Sequence, residues 1–260
     1  MNIGILGFGN LGTAFATGII TKNIIAKSAV NVCDKSEERL AQAKKELGVN
    51  TYSDVNDLIR CSDILVLAVK PHIFPLIAPD IDKALLQGKT VMSFMAGTTI
   101  GEIAEALGID CQIVRIMQNI AIKKGNSVTA ITDNGFDRRD YEFIKSIFSR
   151  LGYLLEVEES EIEKVTSLSG CGLGFAAYII NSFIKAGREI GFDQETSEKI
   201  IAQTFMGALS LGDFSNTVTS VATKGGATEQ GLNVLAAYDM DKIALEAVEA
   251  AYKKALSLKK

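Results

Sequence analysis

The first apolar run of the chain, residues 2–6, is short and unbroken and meets Gly7 at once. Such a run predicts a strand covered on both faces, and the small-residue stretch 13–20 beyond the glycines predicts a helix. The alternation then repeats. Residues 29–33 read as a second strand and 36–47 as a helix, with Ser36 at its N-cap and Gly48 just past its end. A short helix over 54–60 leads to the continuous apolar strand 63–69, and Pro71 and Pro75 mark the start of another helix. Strands over 90–95 and 111–116 flank a helix over 99–107, and strands over 127–131 and 153–157 complete the set. Strand and helix taken in turn predict an α/β domain built on a doubly wound sheet.

The pattern changes near Glu158. From there to the end almost no strand period remains, and 161–168, 172–190, 194–211 and 241–258 read as helices, with a glycine break at 225–226. The expected organisation is therefore an α/β domain over 1–157 and an all-α domain over 158–260. The helix that carries Phe175, Tyr178, Ile179, Ile180, Phe183 and Ile184 is apolar nearly all round its first turns, so it needs cover on several sides. A domain of about 100 residues has limited core to offer it. We expect a homodimer formed through this half.

The first glycine turn carries chemistry. Gly7-Phe8-Gly9-Asn10-Leu11-Gly12 is a GxGxxG that follows a strand and opens a helix, and Asp34 ends the next strand 22 residues past Gly12. These are the parts of a Rossmann-type dinucleotide unit. Gly7 permits the tight turn, Gly9 lets backbone approach a pyrophosphate, and Gly12 lets the helix pack on the strand. The helix N-terminus offers free N–H groups and a positive dipole end. Asp34 suits the ribose 2′-hydroxyl of NADH, whereas Lys35 and Ser36 suit the 2′-phosphate of NADPH. Use of both cofactors is expected.

Composition removes several classes. Hydrophobic residues make up 47% and charged residues 22%, and the net charge is −4, which gives no reason to expect nucleic acid or an anionic membrane surface. No apolar run is read as reaching membrane-spanning length. Four isolated cysteines and a single histidine, His72, offer neither a disulfide framework nor a zinc-type ligand set, so no metal is expected. The expected compartment is the reduced cytoplasm. The lysines at 253, 254, 259 and 260 suit the negative end of a helix.

Four further segments narrow the function. Ala68-Val69-Lys70-Pro71, Ser93-Phe94-Met95-Ala96-Gly97 and Arg115-Ile116-Met117-Gln118-Asn119 each sit at a strand end, where open α/β sheets bind ligands. The fourth, Thr223-Lys224-Gly225-Gly226-Ala227-Thr228, places two glycines at a helix start, where free N–H groups can meet a carboxylate.

At these residues, and in their order along nearly the whole chain, the sequence resembles the pyrroline-5-carboxylate reductase family. The resemblance implies a Rossmann domain joined to a helical dimerisation domain, with dimers assembled further in many members. It implies reduction of 1-pyrroline-5-carboxylate to proline by NADPH or NADH. Gly7, Gly9, Asn10, Leu11 and Gly12 would hold the pyrophosphate, and Ala68, Val69, Lys70 and Pro71 would flank the ribose and nicotinamide. Ala96, Gly97 and Asn119 would line the nicotinamide side. Thr223, Gly225, Gly226, Ala227 and Thr228 would hold the substrate carboxylate and ring nitrogen, Thr228 being the catalytic candidate. The chain departs from the family pattern at Cys171-Gly172-Leu173-Gly174, at Lys224, at Gln118-Asn119-Ile120-Ala121 and at Val55. A regulatory dinucleotide-binding paralogue without turnover and a β-hydroxyacid-type dehydrogenase are the alternatives.

Overall fold

The computed structural model describes residues 1–135 and 138–258, with backbone alone at Arg138 and Arg139. Lys259 and Lys260, read as part of a basic helix end, lie outside the described residues. The strands are β1 (Ile3–Leu6), β2 (Val30–Cys33), β3 (Asn50–Tyr52), β4 (Ile64–Leu67), β5 (Thr90–Ser93), β6 (Gln112–Met117), β7 (Ser127–Asp133) and β8 (Gly152–Glu156). They form one sheet in the order β3-β2-β1-β4-β5-β6-β7-β8. The order reverses between β1 and β4, so the chain leaves these neighbouring strands in opposite directions and opens a crevice at their carboxyl ends.

The pairings are parallel except β6 with β7. The reason is local. Residues 118–126 join these strands through one short 3₁₀ segment, and so short a link cannot carry a parallel crossover.

Helices α1 (Asn10–Thr21), α2 (Glu37–Leu47), α3 (Val55–Arg60), α4 (Phe74–Ile77), α5 (Ile100–Leu107) and α6 (Arg138–Ser149) cover the sheet. Their ends follow the sequence. Ser36 caps α2 by accepting from the Arg39 N–H, and Gly48 ends it in the left-handed region at φ 68°. Thr99 and Glu102 form a reciprocal capping box on α5. On one face Phe15 of α1 meets Phe94 edge-on at 5.2 Å and stacks on Phe148 of α6 at 5.5 Å. On the other face Leu58, Phe74, Leu86, Ile103 and Leu107 pack together. The helix α6 and the three-residue edge strand β3 were not expected. Tyr141, Ile144 and Phe148 carry the helical spacing of α6 and are its buried stripe.

The remaining helices are α7 (Ile162–Val165), α8 (Gly172–Glu189), α9 (Gln194–Leu211), α10 (Phe214–Val221), α11 (Ala227–Ala237) and α12 (Met240–Leu256). A π-helical turn over Thr166–Gly170 joins α7 to α8. Helix α10 also goes beyond the expectation, because at 8 residues it is too short to show a clear apolar period, whereas α11 begins at Ala227, where the glycine pair marks a helix start. The run Glu159–Glu189 is long and apolar enough to cross a membrane by length and composition, which corrects the expectation that no run would be. Its length comes from the continuity of three helical segments through the π turn.

Two compact units result: Met1–Gly170 with the returning C-terminal residues from Tyr252, and Cys171–Ala251. The expected boundary lay at 157/158. Residues 159–163 stay with the sheet because buried Arg115 of β6 bonds Glu163 at 2.8 Å and Glu159 at 3.1 Å, and Glu159 also accepts the Ile100 N–H at the start of α5. The second unit is all helical. Among its residues only Ser197 is buried, and no hydrophobic side chain is.

Candidate active site

The turn after β1 is built by exclusion. Gly7 has φ +100°, a region disfavoured for residues with a Cβ, and a Cβ there would lie 2.8 Å from the Ala68 carbonyl oxygen. A Cβ on Gly12 would lie 2.2 Å from the Gly7 oxygen. These two glycines are required by the fold itself. Gly9 is different. Its φ is −79°, and a Cβ there would meet nothing within 4 Å. No described atom outside its chain neighbours and its own helix occupies the space next to Gly9, and no side chain caps α1. The first-turn N–H groups at Asn10, Leu11 and Gly12 therefore open toward that space, a cradle that fits a pyrophosphate.

Asp34 fixes this loop. One carboxylate oxygen accepts the Phe8 N–H at 2.7 Å, the other accepts the Ser36 N–H at 2.9 Å, and Arg39 of α2 approaches to 3.5 Å. The residue is buried, whereas Lys35 and Arg39 beside it are exposed and Ser36 is half-buried. Sequence reading anticipated Asp34, Lys35 and Ser36 but missed Arg39, which its position in the first turn of α2 could have signalled. Neighbouring Cys33 is pushed up to about 11 by burial and then by the charges of Asp54 and Asp34.

At the other strand ends the expected residues divide by what already holds them. Ala68 donates its N–H to the Leu6 carbonyl, and Lys70 and Pro71 stand exposed on the turn that follows. Ala96 is half-buried. Gly97, at φ +73°, lies against Leu258, whose Cβ would be 2.6 Å from a Cβ on the glycine, so the returning C-terminus explains this glycine. Asn119 has both side-chain ends occupied. Its Nδ2 donates to the Ser169 hydroxyl at 3.0 Å, and its Oδ1 accepts the Ala121 N–H at 3.0 Å. In the π turn that holds Ser169, a Cβ on Gly170 would lie 2.5 Å from the Met117 Cε. Gln118, between Met117 and Asn119, is buried with neither side-chain polar atom hydrogen-bonded.

In the helical unit, Gly225 has φ +78° and Gly226 is the N-cap of α11, with no side chain capping the helix. The Thr223 carbonyl accepts the Gly226 N–H at 2.8 Å, and a Cβ on Gly226 would lie 2.5 Å from the Thr223 hydroxyl. Ala227 and Thr228 are exposed in the first turn. The Gly225 N–H is already taken by the Glu229 carboxylate at 2.8 Å, an acceptor that the sequence reading overlooked.

A profile described as "Pyrroline-5-carboxylate reductase dimerisation" matches residues 159–258. One described as "NADP oxidoreductase coenzyme F420-dependent" matches residues 2–97. The pyrroline-5-carboxylate reductase of Staphylococcus aureus strain COL is 31% identical over 99% of this chain and 98% of its own. This chain belongs to the pyrroline-5-carboxylate reductase family. The enzyme of that name from Staphylococcus haemolyticus is 30% identical over 100% of this chain and 98% of its own. Among solved structures, pyrroline carboxylate reductase from Plasmodium falciparum, described with NADP bound, superimposes with a TM-score of 0.92 at 29% identity, covering 100% of this chain and 98% of that one. The Coxiella burnetii pyrroline-5-carboxylate reductase gives 0.87 at 29%, with the same coverage. The dimerisation region of the family spans the exposed apolar helices, including the whole of the run long enough to cross a membrane.

Proposed function

We propose that this chain reduces 1-pyrroline-5-carboxylate to L-proline with NADPH or NADH, the last step of proline biosynthesis. The observation that carries the reading is the open cradle above Gly9, in a chain related over its whole length to reductases of that name. Gly7, Gly9, Asn10, Leu11 and Gly12 would hold the pyrophosphate. Asp34, Lys35 and Ser36, with Arg39, would meet the adenosine ribose. Ala68, Val69, Lys70 and Pro71 would flank the second ribose and nicotinamide, with Ala96, Gly97 and Asn119 shaping the far side.

Bound reduced nicotinamide supplies a hydride for the imine carbon, and a proton on the ring nitrogen completes the secondary amine. The protein then has to hold the imino acid in one orientation and keep water away. The N–H groups of Ala227 and Thr228, at the positive end of α11, suit the substrate carboxylate, whereas that of Gly226, expected to join them, is taken by the Thr223 carbonyl. The Thr228 hydroxyl is assigned to the ring nitrogen. Thr223 orders the turn beneath them, and Gly225 contributes its left-handed backbone.

The functional form is a homo-oligomer built from dimers through the helical domain, its ligands are small molecules, and its compartment is the cytoplasm. We retain the two-domain division, 1–157 for the dinucleotide and 158–260 for dimerisation and substrate, as a functional one. Loss of reduced-nicotinamide absorbance on adding pyrroline-5-carboxylate tests the activity. Cofactor binding without turnover of five- or six-membered cyclic imino acids would instead make the chain a regulator.

A further inference from the structure

Gln118 stands at the carboxyl end of β6 and is 3% exposed, yet neither Nε2 nor Oε1 has a hydrogen-bond partner. Continuing the β6–β7 register, in which Met117 faces Ala130, sets Gln118 opposite Thr129. The Thr129 hydroxyl is also fully buried and unpartnered. Three orphaned polar atoms therefore share one end of one strand pair. Side chains alternate along a strand, so Gln118 follows Val114 and Ile116 onto the sheet face that holds Phe15 and Phe94. The segment just after it presses on α1, where the Ile122 carbonyl would lie 2.6 Å from a Cβ on Gly18.

A buried amide with no partner is costly, and native folds seldom keep one without a use. The neighbouring amide, Asn119, is fully occupied by Ser169 and Ala121. Gln118 is thus the amide at this rim with both a donor and an acceptor to offer. A dinucleotide with its pyrophosphate on α1 and its adenosine toward Asp34 lays its other half over the ends of β4, β5 and β6. That half ends in a primary carboxamide, which presents the complementary acceptor and donor.

We propose that the Gln118 side chain turns to the rim when the dinucleotide binds and pairs its carboxamide with that of the nicotinamide, making Gln118 a specificity residue for the cofactor. The inference rests on the dinucleotide reading above.

Calorimetry with the native protein and Gln118→Met, an apolar replacement of similar length, tests it. The probes are the oxidised cofactors NADP and NAD, their 3-acetylpyridine analogues, which lack the amide donor, and the adenosine half alone as ADP-ribose and its 2′-phosphate. The native protein should favour the carboxamide cofactor over its acetylpyridine analogue by about tenfold. Gln118→Met should lose about that factor for the cofactor, lose the discrimination, and bind the adenosine half as before. It should melt no lower than the native protein, since it removes orphaned polar atoms. Unchanged cofactor affinity with the discrimination intact would overturn the role of Gln118. Failure of the native protein to bind even the adenosine half would overturn the dinucleotide reading, and this inference with it.

Discussion

The carboxylate of Asp34 accepts the backbone N–H of Phe8 at 2.7 Å across the glycine turn. An acid at the end of the second strand is usually understood as a reader of the ribose. In this chain its first task is to hold the loop, because its other oxygen accepts from Ser36. Asp34→Ala should therefore weaken NADH, NADPH and ADP-ribose alike. A hydrogen bond to a charged group contributes about 1.5–3 kcal/mol, so each dissociation constant should rise by about tenfold or more. A variant that loses NADH but gains NADPH would show instead that Asp34 acts only on the 2′-position. Fluorescence titration distinguishes the two outcomes.

Gly9 and Gly12 should separate stability from binding. Alanine at Gly12 forces its methyl to 2.2 Å from the Gly7 oxygen, so the variant should melt lower, with about 1–3 kcal/mol lost to overpacking. Alanine at Gly9 meets no protein atom within 4 Å and requires no unusual backbone, so the melting temperature should stay the same. Its methyl occupies the space assigned to the pyrophosphate, and dinucleotide affinity should fall by at least about tenfold. A Gly9→Ala protein that binds normally would remove the phosphate from that position.

Much of this was legible in the sequence because each signal is local. An unbroken apolar strand, a glycine turn and the helix-end residues Ser36 and Gly48 need only their immediate neighbours. The family resemblance extended that reading to the order of the motifs. What stayed hidden depends on contacts across the fold. The sequence could not show that Asn119 is occupied by Ser169, that Gly97 yields to Leu258, or that Gln118 is buried without a partner. The antiparallel β7 follows from a short link whose direction the apolar pattern does not encode.

Thr228 is exposed in the first turn of α11, beside an uncapped helix start. If its hydroxyl meets the ring nitrogen, Thr228→Ala should lower kcat/KM by about 10- to 150-fold, the range for a hydrogen bond to a charged group. Thr228→Ser should recover most of that loss, with cofactor affinity unchanged in both variants. A fall of less than about threefold in steady-state assays would exclude the hydroxyl from the site.

Cys33 and Cys111 should make the protein sensitive to alkali. Burial raises both thiols from 9.0 to about 11, assisted by nearby carboxylates, Asp54 and Asp34 for Cys33 and Asp110 for Cys111. The unfolded chain ionises these thiols near 9.0 while the folded chain keeps them neutral. Their stabilising effect is thus complete below that value and is lost as the pH rises from there to about 11. Urea midpoints should decline across this window, and less steeply once both residues are alanine. At neutral pH a thiol reagent should label exposed Cys61 well before either buried one. Rapid labelling of Cys33 or Cys111 in the native protein would contradict their burial.

The helical unit should not persist without a partner. Within Cys171–Ala251 no hydrophobic side chain is buried, and Tyr178, Leu209, Leu211, Val234 and Tyr238 are all more than half exposed. Water-facing apolar surface on this scale is rare on a stable monomer and usual at an obligate interface. Each fully buried side chain of this kind contributes about 1.5–3 kcal/mol, so covering several at once supplies the core that the unit lacks. The helices α8 and α9 do pair, with Phe183 against Phe205 at 5.9 Å, but one such contact leaves their outer faces bare. Light scattering should therefore find dimers or multiples of dimers at micromolar concentration. Unfolding midpoints should rise with protein concentration, and activity per chain should fall on dilution as the helices lose their cover. Replacing exposed Tyr178 with glutamate should reduce assembly and melting temperature together. A monomer that stays folded and fully active at low micromolar concentration would show that these helices need no second chain.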